Sequence, residues 1–102
     1  MVYNIVYSKE AERDLIRAHD YIKHELKNPS AAERTIQKIV SAITLLEKHP
    51  ERGGKLFKHI PVEYRFLLVD NYIVVYRIAE SRVYIVRLFH KKQDYLIALL
   101  KK

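Results

Sequence analysis

The chain has 102 residues, a formal net charge of +7 and no cysteine. A domain of this length buries about 60–65% of the surface of its unfolded chain, so residues 1–102 are expected to fold as one domain, and the absence of cysteine excludes disulfides and thiolate metal sites. No run of about 18 or more apolar residues and no signal-like N-terminus occurs, so we expect no membrane association and a cytoplasmic location.

The positive charge belongs to the second half of the chain. Residues 1–47 carry seven Lys or Arg and seven Asp or Glu, whereas residues 48–102 carry twelve against five, which accounts for the full +7. A field of this kind implies an acidic partner, either a nucleic acid or an acidic protein.

The first half predicts a strand followed by two helices. VYNIVY at residues 2–7 is typical of a strand, and Ser8 supplies an N-cap for the helix that follows. Asn28-Pro29 ends that helix and begins a second one, which runs to His49-Pro50. The apolar positions repeat at helical spacing: Ala11, Leu15, Ala18, Ile22 and Leu26 in the first helix, and Ala32, Ile36, Ile39, Val40, Ile43 and Leu46 in the second. The two helices are therefore expected to form an αα-hairpin that covers one face of a sheet.

The sequence of the two helices and of the segment after them predicts no catalytic or ligand-binding site. His19 and Tyr21 lie near the edge of the first apolar stripe, and we interpret neither as a ligand or a catalyst. Residues 51–61, with Gly53-Gly54 as their flexible point, predict a solvated connector. No phosphate-binding glycine loop is expected, because no helix follows the glycines.

Residues 64–95 predict a three-stranded antiparallel meander rich in Val, Ile, Tyr and Phe. Asp70-Asn71 is expected to form a two-residue turn and Ala79-Glu80-Ser81 a three-residue turn. The first turn pairs Val69 with Tyr72, Leu67 with Val74 and Arg65 with Tyr76. One face is then expected to be exposed, with Arg65, Tyr72, Tyr76, Tyr84 and His90, and the other to be covered by the helices, with Phe66, Leu68, Ile73, Val75, Val83, Ile85 and Phe89.

Residues 94–102 predict a short C-terminal helix, with Asp94 near its start and Lys101-Lys102 at its end. The expected fold class is therefore α+β: an N-terminal strand, a long αα-hairpin, a three-strand antiparallel meander and a short C-terminal helix.

Cationic side chains lie within and just beyond the apolar strands: Arg65, Arg77 and Arg87 inside them, then His90, Lys91 and Lys92 at the exit. Each arginine can reach solvent past the sheet edge or pair with an acid such as Glu63, because burying it unpaired costs several kcal/mol. The functional alternative is an anion-binding surface, with phosphate as the expected anion. In that case Arg65 and His90 share an accessible patch.

The order of elements, together with several short motifs, resembles the RelE/ParE superfamily of bacterial toxin–antitoxin toxins over nearly the whole chain. The motifs are Tyr64-Arg65, Asn71-Tyr72, Tyr76-Arg77, Arg87-Leu88-Phe89-His90 with Lys91, Lys92 and Asp94 after it, the helix start from Ser8 to Leu15, and Asp20-Tyr21-Ile22. The resemblance implies a growth-arresting protein held inactive by a cognate antitoxin, with no cofactor and no metal. A homodimer and a toxin–antitoxin hetero-oligomer both stay open.

The resemblance implies two different targets. RelE-like members cut messenger RNA on the ribosome, whereas ParE-like members inhibit DNA gyrase. Metal-free RNA cleavage needs a proton acceptor, a proton donor and cations around the phosphate; Arg65, His90, Lys92 and Tyr95 are the candidate catalytic residues in that case. Target binding in either case is assigned to Arg65, Arg77, Arg87, Lys91 and Lys92.

Two positions favour the ParE-like branch. RelE-like ribonucleases usually carry an arginine directly after the tyrosine of the hairpin turn, where this chain has Ile73. They also tend to carry a base two places beyond the Arg65 position, where this chain has Leu67. DNA gyrase is therefore the favoured target, and ribosome-dependent mRNA cleavage is the alternative.

Overall fold

A computed structural model of the chain describes residues 2–55 and 64–91. Its strands and helices are β1 (Asn4–Tyr7), α1 (Lys9–Asp20), α2 (Pro29–Thr44), β2 (Gly54–Lys55), β3 (Arg65–Val69), β4 (Tyr72–Ala79) and β5 (Arg82–His90). A π-helical turn follows α1 at Tyr21–Glu25, and two 3₁₀ turns follow α2 at Leu45–Glu47 and Pro50–Arg52. The strands form one sheet in the order β1-β5-β4-β3-β2, with β1 parallel to β5 and the other neighbours antiparallel. The α+β class is confirmed, and the expected helix at residues 94–102 lies outside the described residues.

Both predicted helix caps are confirmed. The Ser8 side chain accepts a hydrogen bond from Ala11 N at 2.9 Å, and the Asn28 side chain accepts one from Ala31 N at 3.1 Å. The Ser8 hydroxyl also donates to the carbonyl oxygen of Val86 at 2.7 Å. One side chain therefore begins α1 and fastens that beginning to β5.

The first helix is shorter than expected. It ends at Asp20, and the π-helical turn that follows adds an extra residue per turn, which changes the side-chain phase. Ile22 stays buried, whereas Leu26, expected in the apolar stripe, is 58% exposed. Lys27 then adopts a left-handed conformation with φ 52°, and the chain turns into α2.

The register of the first hairpin is confirmed, whereas the second turn differs from the expectation. It contains two residues, Glu80 and Ser81, because Ala79 pairs with Arg82. A β-bulge follows: Val75 pairs with Arg87 and Tyr76 with Ile85, so Val86 is the extra residue of β5. The bulge reverses the alternation of side chains beyond Ile85.

In β3 and β4 the helices cover the face that was expected to be exposed, whereas in β5 they cover Val83 and Ile85 as expected. The core against them contains Tyr72, Val74, Tyr76, Val83, Ile85 and Leu88, and the opposite face carries Ile73, Val75 and Phe89 with Tyr64, Phe66 and Val86. The prediction for β4 was wrong because it treated Tyr72 and Tyr76 as exposed polar residues. Tyr76 is in fact fully buried, and its hydroxyl group has hydrogen-bond partners inside the protein.

Those partners are Pro50, which precedes the segment interpreted as a solvated connector, and Gly53, which lies within it. The Tyr76 hydroxyl donates to the carbonyl oxygen of Pro50 at 2.7 Å and accepts from Gly53 N at 2.9 Å. A side chain at Gly53 would bring its Cβ to 2.6 Å from the carbonyl oxygen of Phe66, and closer still to the Tyr76 hydroxyl. Residues 50–55 are therefore ordered by the core, and the sheet continues through Gly54, which pairs with Phe66.

No helix within residues 2–55 and 64–91 is both long and apolar enough to cross a membrane.

Candidate target-binding cleft

A cleft of about 490 Å³ opens between α1 and the end of β5, on the helix side of the sheet. We call it the α1–β5 cleft; it is lined by Asp14, Arg17, Ala18, Tyr21, Tyr72, Arg87, Leu88 and His90. A neighbouring cleft of about 430 Å³ lies toward α2 and the first hairpin turn and shares three of these residues, Tyr21, Tyr72 and His90. The two clefts therefore meet at an aromatic group formed by these three side chains.

The floor of the α1–β5 cleft is an ion pair between a helix and a strand edge. Asp14 Oδ2 lies 2.8 Å from Arg87 Nε, and Asp14 Oδ1 lies 3.1 Å from Arg87 Nη2. Asp14 Oδ2 also accepts the main-chain N–H of Leu88 at 2.9 Å. Because β1 pairs only as far as Ile85, Asp14 takes the hydrogen bond that a further strand residue would take. The hydrogen bonds to Asp14 raise the pKa of Arg87, more than its partial burial lowers it.

The aromatic group presents two phenols and an imidazole. The Tyr72 and His90 rings are paired across β4 and β5 and meet edge to face, with centroids 5.3 Å apart and planes at 81°. Burial raises the pKa of the Tyr72 phenol, and the neighbouring Tyr21 phenol raises it further. Tyr72 is therefore neutral near pH 7 and can act as a hydrogen-bond donor.

Arg17 supplies the exposed positive charge of the cleft, because Arg87 is neutralised by Asp14. The cleft thus combines one exposed guanidinium with an imidazole and two phenols. Side chains of this kind can bind a carboxylate or another anionic group of a partner. Within the described ranges, no group of three His, Cys, Asp or Glu side chains lies close enough together to hold a metal ion.

Arg65 lies at the other end of the same face. It pairs with Tyr76 on β3 and β4, whereas His90 pairs with Tyr72 on β4 and β5. The two Cα atoms are therefore about 16 Å apart, given ~3.3 Å per residue along a strand and ~4.8 Å between strands. Arg65 Nη1 donates to the carbonyl oxygens of Gly53 at 2.9 Å and Glu51 at 3.2 Å. A patch shared by Arg65 and His90 stays a prediction, and the register places the two residues at opposite ends of this face.

The other predicted binding residues are spread over the sheet. Arg77 lies on the face opposite the helices, with its Cζ atom 4.5 Å from the centre of the Tyr84 ring. Lys91 is exposed at the end of β5, where its main-chain N–H donates to the carbonyl oxygen of Asn71 at 2.8 Å. Lys92 and Tyr95 lie outside the described residues.

Three residues of the cleft were missed or misread in the sequence. Asp14 and Arg17 were not singled out in the sequence, and Tyr21 was interpreted as neither a ligand nor a catalyst. A signal was available, because Asp14, Arg17 and Tyr21 follow one another at steps of three and four and so share one side of a helix. These polar residues lie next to the apolar stripe of α1, and the prediction for that helix was based on its apolar residues.

Comparison with known proteins assigns the chain to a family. Residues 5–95 match the family model of the ParE toxin of the type II toxin–antitoxin system parDE. The comparison with curated proteins gives no match.

Solved structures share the fold. The chromosomal ParDE system of P. aeruginosa matches with a TM-score of 0.73 and 20% identity, over 87% of this chain and 96% of that one. The archaeal RelE–RelB complex of Pyrococcus horikoshii OT3 matches with a TM-score of 0.62 and 17% identity, over 91% and 99%. The RelBE2 complex of Mycobacterium tuberculosis matches with a TM-score of 0.60 and 24% identity, over 88% and 99%. Taken with the family-model match across most of the chain, this shows that the chain belongs to the ParE toxin family of type II toxin–antitoxin systems, within the RelE/ParE superfamily.

Proposed function

We propose that this toxin inhibits DNA gyrase by binding it through the α1–β5 cleft and the neighbouring Lys91, and that a cognate antitoxin holds it inactive in a hetero-oligomer. The expected site of action is the cytoplasm. Inhibition by binding requires a complementary surface but no bond-breaking chemistry in the toxin itself.

The observation that carries the choice of gyrase is the separation of Arg65 from His90. Cleavage of RNA through its own 2′-hydroxyl needs a base, an acid and cations within about 3 Å of the groups around one phosphate. The Cα atoms of the two residues lie about 16 Å apart by strand spacings, and the Arg65 guanidinium is directed to the carbonyl oxygens of Glu51 and Gly53. This arrangement supports a binding toxin more than a ribonuclease.

The positions that depart from the RelE-like pattern support the same choice. Ile73 is buried on the face opposite the helices, and Leu67 packs against the core on the helix side. Both side chains contribute to packing, and neither supplies a base to an active site.

The cleft offers a route for protein recognition. Asp14 is neutralised by Arg87, so the exposed guanidinium of Arg17 gives the opening a positive charge. Tyr21, about half exposed, adds a large amphipathic side chain of the type enriched in protein interfaces. An acidic or polar segment of a partner protein suits this combination.

An antitoxin is supported by exposed apolar side chains on the helices. Three apolar side chains are exposed: Ile16 on α1 (62%), Val40 on α2 (39%) and Leu45, directly after α2 (49%). Apolar surface of this kind is commonly covered by a partner. The similar structures named above include a RelE–RelB and a RelBE2 toxin–antitoxin complex.

The decisive test is a DNA supercoiling assay with purified toxin and gyrase. The unmodified toxin is expected to inhibit supercoiling near stoichiometric concentration. Arg17→Glu is expected to raise the concentration required by about tenfold or more, as for the loss of roughly 1.4 kcal/mol of contact energy. Arg34→Glu, the same charge change at an exposed position of α2 that lines neither cleft, is the matched control and should leave inhibition unchanged. Undisturbed gyrase at a stoichiometric excess of toxin would rule out this target.

Ribosome-dependent mRNA cleavage is the second candidate, because His90 lies in an accessible cleft beside Lys91 and could accept a proton. In that case His90 and Arg65 act with Lys92 and Tyr95. Mapping of transcript 5′ ends after induction tests it: new ends inside translated codons support cleavage, and their absence in growth-arrested cells refutes it.

A further inference from the structure

The face of the sheet opposite the helices carries a second basic surface, at the end remote from the first hairpin turn. The register of β1, β5 and β4 arranges its six residues in two rows, which we call the outer platform. The rows are Asn4–Arg82–Ala79 and Val6–Tyr84–Arg77. Residues Asn4, Val6 and Arg82 are exposed, and Arg77, Ala79 and Tyr84 are partly exposed.

Two arginines are held against one tyrosine in this platform. The Cζ atom of Arg77 lies 4.5 Å from the centre of the Tyr84 ring, and Arg82 Nη1 lies 3.5 Å from the Tyr84 hydroxyl oxygen. A guanidinium that stacks on an aromatic ring contacts the ring through its own flat face. The N–H groups lie in the plane of the guanidinium and point outward from its edge, so they can still donate to a ligand. The ring therefore orients Arg77 and leaves its N–H groups available, whereas Arg82 uses one of its five donors for the Tyr84 hydroxyl.

The charge of these arginines is not neutralised inside the described part of the chain. No ion pair there involves Arg77 or Arg82, in contrast to Arg87, which is paired with Asp14. The nearest acid along the chain is Glu80, in the exposed turn between β4 and β5, and within residues 2–55 and 64–91 no ion pair joins it to either guanidinium. Two guanidiniums with no ion-pair partner among the described residues thus lie on this surface, within the basic half of the chain.

We propose that the outer platform binds the phosphodiester backbone of nucleic acid without sequence specificity. Arginine is the preferred residue for phosphate because its planar fork matches two phosphate oxygens. A flat sheet surface with two fixed guanidiniums suits neighbouring phosphates of one strand, whereas the platform has no pocket that would select a particular base. The α1–β5 cleft lies on the other side of the sheet, so nucleic acid on the platform leaves that cleft open to a protein. The inference does not depend on gyrase being the target.

Fluorescence anisotropy with the full chain tests the proposal, using labelled duplex DNA, a single-stranded RNA of equal length, and polyglutamate as the acidic-protein probe. Arg77→Gln/Arg82→Gln is compared with Arg13→Gln/Arg34→Gln, which removes the same charge from exposed positions of the helices. Affinity for duplex DNA is expected to fall on the order of tenfold in the first variant and to stay near that of the unmodified chain in the second. Two lost phosphate contacts should also reduce the salt slope by about 1.8, since each contributes roughly 0.9.

A second pair of variants separates the platform from general charge. Tyr84→Phe keeps the ring under Arg77 and should keep most of the affinity, whereas Tyr84→Ala removes the ring and should weaken binding with the net charge unchanged. Circular dichroism and thermal melting check that each variant is folded. Three results would overturn the proposal. They are an equal loss of DNA affinity in the two double variants, a salt slope that does not change in Arg77→Gln/Arg82→Gln, and displacement of the nucleic acid by polyglutamate at equal charge concentration. A preference for duplex DNA or for RNA identifies which backbone the platform takes.

Discussion

Asp14 on α1 and Arg87 on β5 form a two-point ion pair, with 2.8 Å and 3.1 Å between their nitrogen and oxygen atoms. The Asp14 side chain is 7% exposed and that of Arg87 is 19% exposed, so water screens this pair less than a surface ion pair. The same carboxylate accepts the main-chain N–H of Leu88. The pair therefore joins the first helix to the last described strand and forms the floor of the cleft.

Asp14→Ala is expected to lower the free energy of unfolding by about 3 kcal/mol, because it leaves a partly buried guanidinium and the Leu88 N–H without their acceptor. In an Arg87→Gln background the same change should be clearly smaller, since no guanidinium is then left unpaired. Urea denaturation of the four proteins of this double-mutant cycle measures the difference. Additive effects would show that the two side chains do not stabilise the fold jointly.

Gly53→Ala is expected to destabilise the protein by about 2 kcal/mol or more, as overpacking at a rigid site does. The reason is steric, because φ at Gly53 is −79° and suits any residue, whereas the new Cβ meets the Phe66 carbonyl oxygen and the Tyr76 hydroxyl. Gly54→Ala is the matched control: its Cβ meets only side-chain atoms of Phe66, the nearest at 2.9 Å, which can move. Thermal melting should therefore show a larger loss for Gly53 than for Gly54, and equal melting temperatures would contradict the close packing of this turn.

Stability is expected to fall at alkaline pH. Burial raises the pKa of Tyr72 and Tyr76 above the ordinary value of 10.0. A raised pKa in the folded state means that folding favours the protonated phenols, so their contribution is fully present below pH 10.0 and is lost as the pH rises through the folded-state values. Denaturation at a series of pH values should show this decline, with a shallower slope in Tyr72→Phe. An equal slope in that variant would exclude Tyr72 as a source of the effect.

Arg65→Ala tests whether this residue holds the loop or contacts a target. If its hydrogen bonds to Glu51 and Gly53 are its main role, the variant should lose about 1–3 kcal/mol of stability, and growth inhibition should fall only as far as the folded fraction does. Arg65→Lys, which retains a charge but not the forked geometry, should show an intermediate loss of stability. Full stability together with abolished growth inhibition would instead assign Arg65 to target binding or catalysis.

The parts of the fold that could be predicted are those set by short stretches of sequence. Ser8 and Asn28 cap helices through contacts three residues away, and Asp70-Asn71 fixes the first hairpin by its own turn geometry. The pairing of β1 with β5 and the bulge at Val86 depend on contacts between distant segments, which hydrophobic alternation does not encode. The choice of the buried face failed for the same reason, since Tyr76 is satisfied by Pro50 and Gly53, more than twenty positions away.

The cleft could be predicted only in part. His90 was identified from its place among the cationic residues at the end of the strands and again by the family resemblance, and the structure brings it beside Tyr72 in an open cleft. Arg17 and Tyr21 were missed because their partners come from the far end of the chain. The charge of Arg87 gave no sign that Asp14 would neutralise it, because 73 positions separate the two in sequence.

The position of β1 beside β5 has a consequence for how the protein is made. Residues 4–7 are synthesised early, yet within residues 2–55 and 64–91 they pair as a strand with residues 82–85 alone, and the hydroxyl of Ser8 bonds to Val86 across 78 positions. A nascent chain cannot close its sheet until translation has passed this late segment, since contacts between distant positions form only when both are present. Fragments that end before β5, whether from a premature stop or a stalled ribosome, therefore lack the completed sheet and the cleft, and are expected to be harmless to the cell that makes them.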